Sequence, residues 1–378
     1  MKLKKITILI NSMEGGGAER VVSVLLNSLA DRYQCYLILI HPIIFYKLDK
    51  RIKIIHLNEK SEVSGVKKLI RLPIIAKKLS DIVKEYSFNQ IISFLTRSNY
   101  INILTSYVSK HTTIISERAM PSLQYKNGLN GKINKFLIKA LYCKANLCIT
   151  NSKGNKKDLE DNFSVKNIVS IPNPFDLNLI EELSTQSIGI RKKRFTYITV
   201  GRLDYGKNHK LAIDAIKDID ADLWIIGEGE LIEDIQKYIN KLSLNDKVYI
   251  LGKKENPFCF LAKADCFVFT SNHEGFPNVL VEALACGLPS ISTDCQSGPR
   301  EILAPDTDIY FQLKDKIELA DYGILTPTKN VEKLKESMSL MISDKKLVQG
   351  YRERAKQRAN DFRIDKIIKQ YKEIICVE

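Results

Sequence analysis

The sequence predicts an α/β protein built from two doubly wound domains in tandem. Two observations carry this prediction. Short runs rich in Ile, Val and Leu alternate with helical patterns along the 378 residues, and such alternation is typical of parallel sheets. The apolar runs are continuous and do not alternate with polar residues, so the strands are expected to be buried on both faces.

Thirteen apolar runs are predicted to be strands, about six in each half of the chain. In the first half they are Ile6–Ile10, Cys35–Ile40, Ile52–Leu57, Gln90–Leu95, Thr113–Ser116, Leu147–Thr150 and Ile168–Ile171. In the second half they are Phe195–Val200, Leu223–Ile226, Val248–Leu251, Cys266–Thr270, Ser290–Thr293 and Gly323–Leu325. We therefore expect two Rossmann-like domains facing across a cleft, which is the default place for a ligand.

A change in composition near residues 172–194 predicts a linker between the domains. Two prolines end a strand there, a polar stretch follows, and the basic run Arg191–Arg194 precedes a fresh strand. We expect a first domain over residues 1–180 and a second over residues 190–361. The last segment, residues 362–378, is an amphipathic helix with no strand after it and is expected to cross back to the first domain.

The composition is that of a folded globular chain with an uneven charge. A hydrophobic content of 44% and a charged content of 27% exclude a disordered or fibrous protein. Residues 1–170 hold 28 Lys and Arg against 12 Asp and Glu, a net charge of +16, whereas residues 171–378 hold 30 against 32, a net charge of −2. A basic half of this kind is expected to face a polyanion, either a nucleic acid or an anionic membrane surface.

The cysteines and the apolar runs indicate a reducing, cytoplasmic compartment. None of the eight cysteines forms a CxxC pair, and no Cys/His cluster has zinc spacing. The N-terminal run Ile6–Ile10 is too short for a signal peptide. The longest apolar run, Tyr36–Tyr46, falls short of the roughly 20 residues that span a bilayer. Any contact with a membrane is therefore expected to be peripheral.

Ligands of open α/β sheets bind at the carboxyl ends of strands, so the loops there are the candidate sites. The first strand leads into Gly15-Gly-Gly17 and a helix, where backbone N–H groups could approach a phosphate. A tight strand-to-helix turn explains the same glycines equally well. The loop is neither a Walker A motif nor a GxGxxG motif.

The second domain opens with a strand and a loop that carries two cations, Arg202 and Lys207. A guanidinium fork and an ammonium group could together neutralise a diphosphate without a metal, although solvated surface cations are the commoner reading. The next turn, Gly227-Glu-Gly229, is interpreted as ordinary helix-start chemistry. Gly252 ends the following strand and could hold a nucleobase with its backbone.

The segment Ser271–Ala283 is the richest in candidate chemistry. Glu274 lies on a loop before Pro277, which suits the first turn of a helix. The backbone N–H groups that follow would point out of the helix start toward an anion or sugar hydroxyls. Glu282 lies inside an apolar run, and burying an unpartnered carboxylate is costly. Carboxylates suit pairs of sugar or ribose hydroxyls.

These motifs together carry a resemblance to a known family. Glu274 and Glu282 with seven residues between them, the Gly-Phe-Pro inside, and Gly201-Arg-Leu and Lys207-Asn upstream resemble the family 4 retaining glycosyltransferases of the GT-B fold. Gly15-Gly-Gly-Ala-Glu-Arg20 and Ser297-Gly-Pro-Arg-Glu-Ile302 match the same pattern. The resemblance covers nearly the whole chain and looks closest to bacterial enzymes that extend lipid-linked glycans of O-antigen, capsule or N-glycan precursors.

The resemblance implies a catalytic set of Glu274, Arg202 and Lys207. Arg202 and Lys207 would bind the donor diphosphate, and Glu274 would contact the donor sugar. Further donor-binding residues would be Gly16, Gly17, Gly201, Gly252, Gly275, Phe276, Pro277, Asn278 and Glu282, the last of them on the ribose hydroxyls. No cofactor and no metal are expected, because the three Asp-x-Asp pairs lie in loops without another metal ligand.

Glu117 and Arg118 follow the strand Thr113–Ser116 and are implied to be acceptor residues in the cleft. Many relatives carry a His at about the position of Arg118. A role given to that His therefore does not carry over to this chain, and we hypothesise that Arg118 binds an acceptor diphosphate.

The activity implied is retaining sugar transfer from UDP-N-acetylhexosamine or UDP-galactose, with GDP-sugars still possible, to a lipid-linked glycan in cell-surface polysaccharide biosynthesis. Negative charge grows on the leaving diphosphate in such a reaction. Arg202, Lys207 and a helix N-terminus would stabilise that charge.

Two stretches of the basic half mix cations with apolar residues at helical spacing. Each stretch is interpreted either as an ordinary half-buried helix with a solvated basic face or as a helix that lies on an anionic leaflet. With the net charge of +16, we expect a peripheral protein on the inner face of the cell membrane. The cations concerned are Lys67, Lys68, Arg71, Lys77 and Lys78 in Gly65–Leu79, and Lys132, Lys135, Lys139 and Lys144 in Gly128–Lys144.

Two other function classes stay open. A nucleic-acid binder would also be basic, but the sequence has no known nucleic-acid motif and no stacking series of aromatics, so no nucleic-acid partner is expected. A nucleotide-sugar epimerase can share the fold but is not expected to carry this set of two glutamates, an arginine and a lysine. Salt-sensitive binding to a nucleic-acid duplex would identify a nucleic-acid binder. Conversion of a free UDP-sugar in the absence of an acceptor would identify an epimerase.

Overall fold

The structure is a computed structural model that describes residues 3–59 and 69–375. The chain divides into two compact units. One contains the chain up to Pro174 together with the chain from Asp365 onward, and the other is Phe175–Ile364.

The first unit is built on a seven-stranded sheet whose strands all run parallel. The strands are β1 (Lys5–Ile10), β2 (Gln34–Leu39), β3 (Lys53–His56), β4 (Gln90–Phe94), β5 (Thr112–Glu117), β6 (Leu147–Thr150) and β7 (Ile168–Ser170). Their order across the sheet is β3-β2-β1-β4-β5-β6-β7. The central strands β1 and β4 bury nearly all of their residues, as the continuous apolar runs predict.

The second unit repeats the arrangement with one difference at its edge. The strands are β8 (Thr196–Val200), β9 (Asp222–Ile226), β10 (Val248–Gly252), β11 (Cys266–Phe269), β12 (Ser290–Thr293), β13 (Glu318–Ala320) and β14 (Gly323–Thr326). Their order is β10-β9-β8-β11-β12-β14-β13, and β13 runs antiparallel to β14 while the other pairs are parallel.

Helices connect the strands in both units. Those of the first unit are α1 (Gly17–Leu29), α2 (Leu72–Tyr86), α3 (Thr96–Ser109), α4 (Pro121–Gln124), α5 (Gly128–Leu141) and α6 (Lys153–Phe163). Those of the second are α7 (Leu177–Ser184), α8 (His209–Ile216), α9 (Ile232–Lys241), α10 (Phe258–Lys263), α11 (Asn278–Ala285), α12 (Pro299–Leu303), α13 (Val331–Ser343) and α14 (Lys345–Ala359). The last helix is α15 (Ile364–Ile375), and short 3-10 helices cover Tyr142–Lys144 and Asn360–Phe362.

The α/β fold class is confirmed, and each of the thirteen predicted strands is present with its ends shifted by at most one residue. The sequence missed β13, because this three-residue edge strand is only partly buried and contains no apolar run. The stretch interpreted as a linker also differs from the prediction. It contains α7, whose Ile180 is fully buried in the core of the second unit.

The chain enters the second unit at Phe175 and leaves it at Ile364, and these two points are neighbours in the structure. The N–H of Phe175 donates to the carbonyl of Phe362 (2.9 Å), and the N–H of Ile364 donates to the carbonyl of Phe175 (2.9 Å). From Asp365 onward the chain belongs to the first unit, where α15 buries Tyr371 and three isoleucines. Within the part of the chain that the structure describes, no helix combines the length and the apolar character needed to cross a membrane.

A buried polar cluster joins α3 to the first sheet. The Asn102 amide donates to the carbonyl of Ile91 in β4 (3.0 Å), and its oxygen lies 2.8 Å from Nε2 of His111, which therefore donates to it. Nδ1 of His111 lies 3.1 Å from the Ser109 hydroxyl. Burial lowers the pKa of His111 to about 4, so the imidazole is neutral at pH 7.

This buried histidine predicts a stability that falls in mild acid. The unfolded chain binds a proton at His111 near pH 6.5, and the folded chain binds it only near pH 4. The free energy of unfolding is therefore unaffected by His111 above pH 6.5 and decreases as the pH falls below 6.5. We expect His111→Gln to remove up to about 2 kcal/mol of the decrease in unfolding free energy between pH 7.5 and pH 5. Urea unfolding of both proteins at the two pH values measures this, and an identical pH dependence would contradict it.

Candidate active site

Four loops of the second unit converge at the carboxyl edge of its sheet. They follow β8, β9, β11 and β12, and these strands are neighbours in the order β9-β8-β11-β12. Carboxyl ends of adjacent parallel strands lie side by side, so side chains far apart in sequence meet there. The predicted residues of the second unit lie on or next to these loops and at the end of β10.

The loops after β8 and β9 touch backbone to backbone. The N–H of Leu203 donates to the carbonyl of Glu228 (2.9 Å), and the N–H of Gly201 donates to that of Ile226 (3.0 Å). A Cβ on Gly227 would lie 1.9 Å from the Gly201 carbonyl oxygen, and a Cβ on Gly229 would lie 2.5 Å from the Leu203 carbonyl oxygen.

Only glycine therefore permits this contact between the two loops. Sequence reasoning treated Gly227 and Gly229 as ordinary helix-start chemistry and missed this role. The pattern that could have revealed it is a pair of glycines, two residues apart, directly after a buried strand.

Asn272 joins the loop after β8 to the loop after β11. Its backbone N–H donates to the carbonyl of Gly206 (2.8 Å) and its side-chain amide donates to that of Tyr205 (2.9 Å). The Thr270 hydroxyl adds a bond to the carbonyl of Lys207 (2.9 Å). Neither Asn272 nor Thr270 was singled out from the sequence, because their partners are backbone carbonyls more than sixty residues away.

The structure brings Lys207 and Glu274 into direct contact. The Lys207 ammonium donates to Oε1 of Glu274, and it lies 5.4 Å from the centre of the Phe269 ring. Oδ1 of Asp204 accepts from the Lys207 backbone N–H (3.0 Å) and so fixes the turn. The side chains are 26% exposed for Lys207 and 12% for Glu274, so the pair is sheltered but open to a ligand. The sequence predicted both residues but not their pairing.

Arg202 differs from Lys207 in its surroundings. It is exposed, and among the described residues no carboxylate lies within ion-pair distance of its guanidinium. Its carbonyl accepts a hydrogen bond from Nε2 of the buried His209 (3.1 Å). Burial lowers the pKa of His209 to about 4, so this imidazole is neutral and the positive charge beside the loop comes from Arg202 and Lys207.

The loop after β11 runs through Gly275, Phe276 and Pro277 into α11. Phe276 is buried and packs edge-on against Phe362, with ring centres 5.5 Å apart. The N–H groups at the start of α11, which begins at Asn278, belong to the positive end of the helix dipole. Glu282 lies inside α11 and is 5% exposed.

The loop after β12 supports this segment from the other side. The Ser297 hydroxyl donates to the carbonyl of Gly275 (2.8 Å), and a Cβ on Gly298 would lie 2.4 Å from Cδ of Pro277. A buried ion-pair network holds the loop: Nη2 of Arg300 lies 2.8 Å from Asp294 and 2.9 Å from Glu318. The motif Ser297–Ile302, which the sequence analysis left without a role, thus positions the predicted donor loop.

Gly252 ends β10 with a φ of +71°, a conformation that favours glycine. Its carbonyl accepts from the N–H of Gly227 (3.1 Å). Among the described residues other than its two chain neighbours, no atom lies within 4 Å of the position of a Cβ on Gly252, so this side of the residue faces open space at the edge of the sheet.

In the first unit, the glycine loop lies exposed between β1 and α1. Gly15 has a φ of +107°, and the carbonyl of Gly16 accepts from the Tyr46 hydroxyl (3.0 Å) and from the Arg20 N–H (3.0 Å). A Cβ on Gly16 would lie 2.4 Å from a carboxylate oxygen of Glu19. The glycines therefore serve a tight strand-to-helix turn. Their contact with phosphates stays a prediction.

Glu117 is the last residue of β5 and Arg118 follows it, but the two side chains have different surroundings. Glu117 is 2% exposed, and its carboxylate accepts from the Tyr142 hydroxyl (2.5 Å), the Thr96 hydroxyl (3.1 Å) and the N–H of Arg118 (3.0 Å). Burial raises the pKa of the Glu117 carboxyl. Its oxygens are engaged within the fold, so Glu117 orients the loop, whereas Arg118 is partly exposed.

Comparison with known proteins decides the family. Residues 181–358 match the family described as Glycosyl transferases group 1. An N-acetylgalactosamine-N,N'-diacetylbacillosaminyl-diphospho-undecaprenol 4-alpha-N-acetylgalactosaminyltransferase of Campylobacter jejuni is 36% identical over 95% of this chain and 96% of its own. The chain belongs to the group 1 glycosyltransferases.

Two further comparisons concern this glycosyltransferase over its full length. A second Campylobacter jejuni enzyme, named as an alpha-1,4-N-acetyl-D-galactosaminyltransferase acting on a PP-undecaprenol glycan, is 27% identical over 99% of each chain. The crystal structure of Anabaena HepE in complex with UDP superposes with a TM-score of 0.78 at 19% identity and covers 98% of this chain and 99% of that one. The second likeness shows the fold, and with the family it confirms the predicted GT-B class.

Carboxylate, imidazole and thiolate groups are the side chains that could hold a metal ion in the glycosyltransferase. Across residues 3–59 and 69–375, the structure groups no three His, Cys, Asp or Glu side chains in a way that could hold a metal ion. Of the Asp-x-Asp pairs, Asp218 lies beside Lys335, and Asp220 and Asp222 lie beside Arg194.

The backbone contact at Gly229 predicts a sensitive position in the glycosyltransferase. In Gly229→Ala the new methyl group would lie 2.5 Å from the Leu203 carbonyl oxygen, so the loop that carries Arg202 must shift. We expect kcat/KM for the donor to fall at least about tenfold, because small displacements of binding groups cost that much. The matched control is Gly350→Ala in α14, where the new methyl would first meet the flexible end of the Arg354 side chain, at 3.2 Å. Equal kinetics for wild type and Gly229→Ala would contradict the assigned role.

Proposed function

We propose that the protein transfers an N-acetylhexosamine, in the first place N-acetylgalactosamine, from its UDP derivative to a lipid-diphosphate-linked glycan, with retention at the anomeric carbon. UDP-galactose is the alternative donor. Two relatives named as alpha-N-acetylgalactosaminyltransferases of undecaprenol-linked glycans support this, as do structures of the same fold with UDP or UDP-glucose. The observation that carries the proposal is the pairing of Lys207 with Glu274 next to the exposed Arg202.

The charges at this pairing suit a departing nucleoside diphosphate. Negative charge grows on the diphosphate as the glycosidic bond breaks. Arg202 offers a fixed fork of N–H donors without a competing carboxylate, and Lys207 has three N–H donors, of which Glu274 needs only one. Phosphate oxygens can take the others. Two positive charges on one loop, of which Glu274 already orients the ammonium of Lys207, stabilise the transition state.

The carboxylates have separate tasks in this proposal. Glu274 keeps Lys207 oriented and accepts hydrogen bonds from hydroxyls of the donor sugar, while Glu282 accepts from the ribose hydroxyls. The backbone at Gly275–Asn278 faces the sugar and Gly252 faces the base. Gly201 lets the diphosphate approach the strand end.

We also propose that transfer needs neither a metal nor another cofactor. Arg202, Lys207 and the positive end of α11 supply the neutralisation for which other transferases use a metal held by an Asp-x-Asp motif. Retention is then achieved by attack of the acceptor hydroxyl on the same face from which UDP departs, because neither Glu274, tied to Lys207, nor Glu282, inside α11, is assigned as a nucleophile.

Transfer from UDP-N-acetylgalactosamine to a prenyl-diphosphate glycan in the presence of EDTA tests the proposal. We expect the wild type to form an α-linked product. Arg202→Ala and Lys207→Ala are each expected to lower kcat/KM by at least about 100-fold. Arg202→Ala should keep the thermal unfolding of the wild type because its side chain is exposed, whereas Lys207→Ala removes the partner of the sheltered Glu274 and should unfold at a somewhat lower temperature. Lys210→Ala, in the neighbouring turn of α8, is the matched control and should keep its activity.

Three outcomes would contradict this assignment. They are near-normal turnover of both Arg202→Ala and Lys207→Ala, complete loss of wild-type activity in EDTA that Mg²⁺ or Mn²⁺ restores, and conversion of the UDP-sugar without acceptor. The last would indicate an epimerase.

We further propose that the basic unit lies on the anionic cytoplasmic face of the membrane. In α5 the apolar side chains of Leu129 and Phe136 are each 70% exposed, and Lys132 and Lys139 are exposed on the same helix. Ile70, just before α2, is 70% exposed, and Ile74, within α2, is 57% exposed. Lys77 and Lys78 of the same helix are exposed as well. Apolar side chains interleaved with lysines are typical of helices that lie on anionic lipid. The predicted Lys67 and Lys68 lie outside the described residues.

Flotation with vesicles tests the membrane proposal. We expect wild type to float with phosphatidylglycerol-containing vesicles and not with phosphatidylcholine alone, and salt to weaken the binding. Lys132→Glu/Lys139→Glu and Leu129→Ser/Phe136→Ser should each lower the bound fraction severalfold. Lys345→Glu/Lys346→Glu, an equal charge change in the second unit, is the control. Equal binding by all variants, or no binding by wild type, would contradict the proposal.

A further inference from the structure

Arg118 is held by neutral partners at the carboxyl end of β5. Nη1 donates to the hydroxyl of Ser116 (3.3 Å) and to that of Tyr371 in α15 (3.4 Å), and Nη2 donates to Oδ1 of Asn173. The guanidinium also lies 5.7 Å from the centre of the Phe94 ring. These contacts come from four separate segments of the first unit, so the group is fixed in place.

The charge of this guanidinium is not balanced by the surrounding fold. Among the described residues, no carboxylate lies within ion-pair distance of it, and the neighbouring Glu117 accepts from the backbone N–H of Arg118. The described bonds use three of its five N–H donors. A partly exposed guanidinium with a net charge and unused donors is prepared to bind an anion.

Other arginines in the same protein show the contrast. Arg300 is 3% exposed and contacts the carboxylates of Asp294 and Glu318. Arg97, in the first unit, contacts the carboxylate of Glu59. These two arginines are neutralised inside the protein and serve the fold, whereas the described partners of the Arg118 guanidinium are hydroxyl, amide and ring groups.

We propose that Arg118 binds the diphosphate of the lipid-linked acceptor, and that Tyr371 and Asn173 are positioning residues for its guanidinium. The inference rests on the proposed function, which supplies a diphosphate on the acceptor as well as one on the donor. A guanidinium fork suits either diphosphate. We assign the acceptor because Arg202 and Lys207 already provide two cations for the donor in the second unit.

An acceptor pair that differs only in the diphosphate separates binding from structural damage. One acceptor is a glycan on a prenyl diphosphate, and the other is the same glycan as its methyl glycoside. We expect Arg118→Ala to raise KM for the diphosphate acceptor about 10- to 100-fold, which is the value of a charged hydrogen bond. Its kcat/KM for the methyl glycoside and its KM for the UDP-sugar should stay within about twofold of wild type.

Asn173→Asp is the most specific variant. The new carboxylate keeps the oxygen that accepts from Nη2 of Arg118 but cancels the guanidinium charge. If Arg118 binds a diphosphate, KM for the diphosphate acceptor rises while thermal stability is kept or increased. If Arg118 only supports the fold, the new ion pair leaves KM unchanged. Tyr371→Phe should raise the same KM by a smaller factor, and Arg118→Lys should restore part of the loss.

Each result has a clear reading. A similar loss with both acceptors in Arg118→Ala, or an unchanged KM in Asn173→Asp, overturns the inference. A rise in KM for the UDP-sugar alone assigns Arg118 to the donor diphosphate and likewise overturns it. Failure of wild type to use the diphosphate acceptor at all would instead contradict the proposed function, so the two failures are distinguishable.

Discussion

The contact of backbone against backbone at Gly227 and Gly229 is the constraint on which the site in the second unit depends. It allows the loop after β8 to lie directly on the loop after β9, with no side chain between them. Asn272 then ties the first of these loops to the loop after β11 through carbonyl groups. Fixing irregular backbone costs about 1–2 kcal/mol per residue, and these hydrogen bonds offset that cost. Lys207 and Glu274 can meet because both loops are held.

The strands and the main site residues could be read from the sequence for simple physical reasons. A strand buried on both faces is typically an apolar run, which is why β2, β9 and β11 stand out by themselves. Glycines and charges that directly follow such runs, such as Gly201 and Arg202, fall at the carboxyl edge by topology alone. The helix α7 was missed because the prolines and polar residues around it were read as a linker, although Leu177 and Leu183 pack beside the buried Ile180 against the core of the second unit.

The partnerships within the site could not be predicted, because they join residues that are distant in the chain. Lys207 and Glu274 are 67 residues apart. The family resemblance implies an acceptor role for Glu117, but the Tyr142 hydroxyl, 25 residues further along, donates to its carboxylate. No local pattern encodes a partner of this kind. The sequence therefore predicts which side chains lie at the edge of a sheet, but it does not predict which of them are engaged in contacts within the fold.

The uneven charge of the chain determines how informative an unpaired cation is. In the nearly neutral second unit, many cations contact a carboxylate, as Lys192 does with Asp265 and Lys335 with Asp218. Arg202 stands out against that background, at the edge where a diphosphate would lie. In the basic first unit a surplus of cations is inevitable, so an exposed lysine alone says little. What marks Arg118 is that, within the described part of the chain, the partners of this partly buried guanidinium are neutral, although a guanidinium is costly to desolvate. The fold supplies carboxylates to Arg97 and Arg300 but leaves the charge of Arg118 for a ligand to balance.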